Sequence, residues 1–160
     1  NFTFVGNQTN AFRLNTGTLG HYLNGVVDYG KECMRFQTSA GNAVAGYQEG
    51  ADPKFSSVLF DCAGGLAVQP NPNPAPGEQP KEDPAAADGA VAADANNSTN
   101  VANTLTSTFV NGSAEAAVTA VDPSTVSSFF DAVDYIGAVE NAQDTWWQGW
   151  SCGLEASDPC

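Results

Sequence analysis

Basic side chains are scarce in this sequence: 5 Lys and Arg stand against 18 Asp and Glu, a formal net charge of −13. Nucleic acid and anionic membrane surfaces are recognised by clustered Lys and Arg, so neither is expected as a partner. Histidine occurs once, at His21, and none of the 4 cysteines belongs to a Cys-x-x-Cys pair, which argues against a zinc site. No apolar run approaches the length that spans a bilayer, so membrane insertion is not expected. A secretory leader pattern is missing too. The chain opens on Asn1-Phe2-Thr3-Phe4, already strand-like, and that start is read as a processed or truncated end. Charged residues make up only 14% of the chain, so polarity comes from Asn, Thr, Ser, Gln and Gly. That mixture favours strands and turns over helices.

The 160 residues suffice for one domain with a core. Charge is uneven along them. Residues 1–67 hold four basic and five acidic side chains, whereas residues 68–160 hold one basic side chain, Lys81, and thirteen acidic ones. The cysteines are Cys33, Cys62, Cys152 and Cys160. An even number in a Lys-poor, Asn/Thr-rich chain points to disulfides and to a secreted or cell-surface location. Of the three pairings, the sequence-local one, Cys33–Cys62 with Cys152–Cys160, is preferred. Free buried thiols are the alternative.

Residues 1–67 read as short strands: Phe2–Val5, Ala11–Leu14, Tyr22–Val27, Cys33–Thr38, Ala43–Tyr47 and Ser57–Cys62. Gly and Asn mark nearly every break. A repeat runs beneath them. Phe4 to Val26, Phe12 to Met34 and Leu14 to Phe36 are each 22 residues apart, and Phe36 to Leu59 is 23. Such a period with several short strands fits one coil of a β-solenoid, whose coils bury apolar side chains against their neighbours. Residues 68–95 differ. Six of the nine prolines fall between Pro70 and Pro84, and an Ala/Asp/Gly-rich stretch follows. Proline removes ladder donors, so this segment is expected to be a loop or linker outside the core. Residues 96–160 are expected to supply the final strand or strands, a short helix and a Trp-rich cap packed on the coils. Ser124 is the expected helix cap, with Val126, Phe129 and Phe130 on the helix.

Two stretches carry a resemblance. One is residues 11–38 together with Phe55–Cys62; the other is SSFFDAVDYIGAVENAQDTWWQGWSCGL at 127–154. Together they resemble the carboxy-terminal part of a family of uncharacterised bacterial secreted or lipoprotein-type proteins ending in a DYIGA…WxxGW motif. Those proteins are predicted right-handed parallel β-helices, similar in fold to pectate lyases. The resemblance implies an all-β fold of that kind, with a Pro-rich loop and an irregular Trp-rich carboxy-terminal cap, at the cell surface. It implies no activity. Family members are longer, with further coils upstream, and the chain resembles their terminal portion.

Candidate chemistry is sparse. Polysaccharide enzymes of this fold need clustered carboxylates, often with His and Lys or Arg, and no such phrase is present. Arg13 and Arg35, 22 residues apart, would stack on adjacent coils as an electropositive ladder; solvated charges beside Asp28, Glu32 and Asp61 are the preferred reading. His21 follows Gly20 at a turn, with no recognisable nucleophile motif around it. Asp131 and Asp134 are the candidates for calcium, but their spacing is not that of a calcium loop, and no cofactor is expected. Trp146, Trp147 and Trp150 invite stacking on a sugar. The preferred reading is a hydrophobic plug over an end or side of the coils, with one ring exposed. Asn-x-Ser/Thr sequons at Asn1, Asn7, Asn96, Asn97 and Asn111 are candidate glycosylation sites. Phe2, Thr3, Phe4 and Val5 form an apolar strand that no Pro or Lys guards, an expected assembly edge. The leading functional reading is a non-catalytic extracellular structural protein, a subunit of a bacterial surface fibre or filament that self-associates through open β-edges. A cell-surface glycan-binding module is the second reading. A polysaccharide lyase or hydrolase remnant is the third.

Overall fold

The structure, a computed structural model, describes residues 1–15, 17–37, 51–77 and 81–149. Its strands are β1 (Phe2–Gly6), β2 (Phe12–Leu14), β3 (His21–Tyr29), β4 (Met34–Phe36) and β5 (Lys54–Cys62). They form two parallel sheets, ordered β1-β3-β5 and β2-β4, and the chain visits the two alternately. Period-two patterning explains the short strands: Phe12 and Leu14 are buried while Arg13 between them is exposed. Ala67 extends the second sheet through a parallel bridge to Met34, with Met34 N donating to Leu66 O and Val68 N to Met34 O at 2.9 Å each. The expected strand Ala43–Tyr47 lies outside the described residues.

The register corrects part of the repeat. In the second sheet Phe12 pairs with Met34 and Leu14 with Phe36, the expected offset of 22. In the first sheet Phe4 pairs with Val27, an offset of 23, and not with Val26. The turn from β1 to β2 is one residue longer than that from β3 to β4. A slip of one residue changes the face. Val27 points to the core between the sheets, and Val26 to the opposite face. Between β3 and β5 the offset is 33, as in Val26 with Leu59. The β4–β5 connection therefore carries eleven extra residues (33 against 22), and Phe36 and Leu59 fall in different sheets.

Phe12, Leu14, Met34 and Phe36 from the second sheet meet Val27, Phe55, Val58 and Phe60 from the first. Rings run through this core as a column. Centroids are 5.2 Å apart for Phe4–Phe12, 5.0 Å for Phe12–Tyr22, 5.2 Å for Tyr22–Phe55 and 5.5 Å for Phe55–Phe60. Each pair adds about 0.5–1.5 kcal/mol beyond area burial. The far face of the first sheet is buried as well, with Val26 and Leu59 under Ile136, Leu105 and Val118. Asn24 (φ 54°) and Ser57 (φ 57°) occupy equivalent positions on β3 and β5 and are wholly buried. Asn enters the left-handed region more readily than most residues, and the bonds that hold Asn24 there are long-range. Here Asn24 Nδ2 donates to Val121 O at 2.7 Å and Oδ1 accepts from Val121 N at 2.9 Å. Ser57 Oγ donates to Thr119 O at 2.7 Å. These two corners fasten residues 119–121 across the sheet.

Cys33 and Cys62 are bonded, with Cα atoms 5.5 Å apart. The expected local pairing holds for these two. Cys152 and Cys160 lie outside the described residues.

The loop expected over 68–95 contains a helix. Residues 71–77 are exposed, as a loop should be, but Pro84–Ala92 form α1. Asp83 accepts from Ala86 N at 3.0 Å, and Pro84 takes the first helical turn, where its missing N–H costs nothing. Ala87 and Val91 are buried in the core between the sheets. The helix expected after Ser124 is instead a single 3₁₀ turn, Pro123–Thr125, capped by Asp122 accepting from Ser124 N at 2.9 Å. Val126, Phe129 and Phe130 lie beyond it, exposed.

Candidate interaction surface

The two ends of the β1-β3-β5 sheet are unlike. At β5 the edge is covered. Phe60 N donates to Ser98 O at 2.7 Å, and Ser98 N to Val58 O at 2.9 Å. Asn97 adds three bonds: its Oδ1 accepts from Val58 N at 2.9 Å, and its Nδ2 donates to Phe55 O and Val91 O, both at 2.8 Å. Asn103 holds Asp61 through N and Nδ2, each at 2.8 Å. With α1 over the core, that end is closed.

At β1 the edge is open among the described residues. Gly30 N donates to Gly6 O at 2.8 Å, so Gly6 turns its peptide group toward β3. Alternation turns Phe2 and Phe4 the same way and points the backbone groups of Thr3 and Val5 outward. Among the described residues no backbone group pairs with those two. Thr3 is engaged through its side chain, Oγ1 accepting from Ala138 N at 2.9 Å. Phe4 is 38% exposed and Val5 44%, high values for apolar strand residues. The ring column thus reaches solvent at Phe4. The expected edge of Phe2, Thr3, Phe4 and Val5 is the edge strand of the sheet.

Beside it lies a groove of about 380 Å³, lined by Val5, Phe109, Val139, Trp146 and Trp147. Trp147 packs edge-on against Phe109 at 5.4 Å. Trp146 donates Nε1 to Ala138 O at 2.7 Å and is 60% exposed as a residue. Trp146 and Trp147 therefore flank β1, and the β5 end is covered by α1, Asn97 and Ser98. Trp150 lies outside the described residues. A neighbouring hollow joins Trp146 to Tyr135, Asp131 and Phe130, and Phe129 stacks edge-on to Phe130 at 5.5 Å. Val5, Trp146, Phe130 and Phe129 thus form an apolar strip, with Phe4 exposed on the other face of β1. The rim is acidic. Burial first, and then the Asp144, Glu140 and Asp134 carboxylates, push the Tyr135 phenol upward. No Lys or Arg occurs after Lys81.

The remaining candidates are scattered. Arg13 and Arg35 are register partners, and Arg35 turns to Glu82 at 3.6 Å, not to Asp28, Glu32 or Asp61. His21 Nε2 lies 3.0 Å from Ser56 Oγ in a groove of about 500 Å³ between β5 and α1. Among the described residues no carboxylate orients that ring, so the pair lacks the third member that activates a serine. No group of three or more His, Cys, Asp or Glu among the described residues is placed to hold a metal, Asp131 and Asp134 included. No helix among them is long and apolar enough to cross a membrane. Of the sequons, Asn1, Asn7 and Asn96 are exposed. Asn1 donates Nδ2 to Tyr135 O at 2.8 Å, and Asn111 donates Nδ2 to Ile136 O at 2.6 Å. Asn97 spends both amide hydrogens on backbone carbonyls, so a glycan on that nitrogen displaces one bond. Sequence reasoning missed Phe129 and Phe130 as surface residues; the available signal was an aromatic pair set between Ser128 and Asp131 with no apolar periodicity around it. The chain matches no protein-family model, no curated protein and no solved structure.

Proposed function

We propose that the chain forms three coils of a parallel β-helix in a non-catalytic extracellular structural protein, and that it acts by receiving a β-strand from a partner chain on the open edge of β1. The alternation of the chain between two parallel sheets supports the coils, as does Ala67 adding a third rung beside Met34. The Cys33–Cys62 bond supports an oxidising compartment, and the family resemblance supports the bacterial surface. The observation that carries the reading is the unlike ends. Proteins guard exposed edges with charge, proline or a covering segment, and β1 has none of these among the described residues. Strand addition uses such an edge for affinity and the adjoining pockets for specificity. A head-to-tail filament needs an open edge at both ends. With β5 covered, single-ended joining is favoured over the filament.

Thr3→Pro read against Thr3→Val tests the reading: both give up the Oγ1 acceptor of Ala138 N, and only the proline also removes an outward N–H while leaving the β1–β3 ladder its partners. A strand-forming peptide of alternating Thr and Val should protect the Thr3 and Val5 amides from hydrogen exchange; Thr3→Pro should abolish binding and Thr3→Val should keep it. A glycan-binding module is the second reading, favoured by the exposed Trp146 ring over its groove. It takes over if the peptide leaves both amides unprotected while an oligosaccharide quenches Trp146 fluorescence.

A further inference from the structure

The apolar strip and its acidic rim constrain what sequence the received strand carries. A strand laid against β1 alternates its side chains between two faces. One face covers Phe2 and Phe4, where the ring column reaches solvent, and calls for aliphatic residues. The other lies with Thr3 and Val5 toward the groove of Trp146 and Phe109, beyond which stand Asp131, Asp134 and Glu140. Lys and Arg suit that face, since their aliphatic stems lie along apolar surface while the charged head reaches outward. An exposed indole such as Trp146 also attracts a cation to its ring. A second copy of the chain fits poorly. Its net charge is −13, and it has no basic residue after Lys81, so a two-fold pair would set acidic rim against acidic rim.

Resting on the strand-addition reading, we infer that the partner strand is cationic, alternating Lys or Arg with aliphatic residues, and is not a second copy of this chain. The test uses the full chain and three peptides of equal length. Each fixes Val at alternate positions and places Lys, Thr or Glu at the others. Binding is read as a blue shift of tryptophan emission and as protection of the Thr3 and Val5 amides.

The Lys peptide should bind tightest and the Glu peptide weakest. Two or three exposed ion pairs amount to about tenfold between those extremes. That difference should collapse above roughly 0.1 M salt, where the screening length is about 10 Å. Asp131→Asn combined with Asp134→Asn should weaken the Lys peptide and leave the Thr peptide unchanged; neither carboxylate holds up the fold through a described hydrogen bond. Equal binding of the Lys and Glu peptides, both lost in Thr3→Pro, overturns the charge assignment and leaves the edge reading standing. Failure of all three peptides overturns the edge reading itself. A dimer seen by light scattering that Thr3→Pro dissolves and that excludes the peptides makes the second copy the occupant, and an oligosaccharide whose binding is indifferent to Thr3→Pro makes the occupant a glycan. Either result overturns the inference.

Discussion

Asn97 fastens three parts of the molecule with one side chain, and its removal should be felt well beyond a surface substitution. Its Oδ1 satisfies Val58 N on the β5 edge, and its Nδ2 satisfies Phe55 O on the same strand and Val91 O at the end of α1. Asn97→Ala orphans three backbone groups on a closed edge. A net hydrogen bond contributes about 1 kcal/mol, so the loss is about 3 kcal/mol, less what entering water recovers. For a domain of this size each kcal/mol shifts the melting temperature by about 2–4 °C, so a fall of roughly 5–10 °C is expected. Asn96→Ala is the matched control, because its side chain is exposed and the described hydrogen bond of Asn96 uses its backbone N. That variant should stay within about 0.5 kcal/mol of the parent. The assay is thermal unfolding followed by circular dichroism, at fixed protein concentration and with the disulfide intact. Equal melting temperatures for the two variants would refute the clamp. The same geometry predicts, in a glycosylating host, mass-spectrometric occupancy at Asn96 and not at Asn97.

Three further outcomes follow from the same structure. Replacing Cys33 and Cys62 together by Ala should cost about 3.6 kcal/mol in denaturant unfolding from loop entropy over the 29-residue separation, and an unchanged midpoint would contradict that. Deleting residues 71–77 should leave the melting temperature nearly unchanged, whereas Val91→Ala should cost about 2 kcal/mol from lost burial and the cavity; equal effects would mean that α1 does not seal the core. Burial first, and then the facing Asp61, push the Asp28 carboxyl upward, against a hydrogen bond from Asn103 that lowers it. Its folded value is raised, so protonated Asp28 contributes stability below the ordinary carboxylate range, and that contribution is lost as pH rises through the folded value. Asp28→Asn should therefore stabilise at pH near 7, by an amount on the order of 0.5 kcal/mol for like charges directly opposite, and do nothing below a pH of about 3; urea melts showing a loss near neutrality would contradict this.

The strands were legible in the sequence because each is a short β-branched or aromatic run between Gly and Asn turns, as at Phe12–Leu14 and Met34–Phe36. Their pairing was legible where connections match in length, hence Phe12 with Met34. It failed where they do not. One additional residue before β2 turned the Phe4 match from Val26 to Val27, and the longer β4–β5 connection hid the offset of 33 between Val26 and Leu59. Spacing alone has no sight of an insertion. The helix α1 was overlooked because prolines dominate residues 70–84, although Asp83-Pro84 followed by alanines is a start signal. The surface site was half legible. Phe2–Val5 announced an unguarded strand, but the Trp146 groove beside it depends on Phe109 and Val139, which only the folded path of residues 105–139 brings near. The cover over β5 had no signal of its own, since it is made by Asn97 and Ser98 in a run that reads as polar loop.

Parallel strands stack by translation, so each rung offers its neighbour the same template whichever rung it is. A stack with α1, Asn97 and Ser98 sealing one side consequently has a direction. Duplicating a stretch of one rung spacing, such as Thr3 to Gly25, would slide a new rung in and leave the covered edge and the open edge chemically as they were. Length would change while the seal and the open edge did not. Such a stack can therefore vary in reach without redesign of either side, much as a telescopic pole keeps its hook.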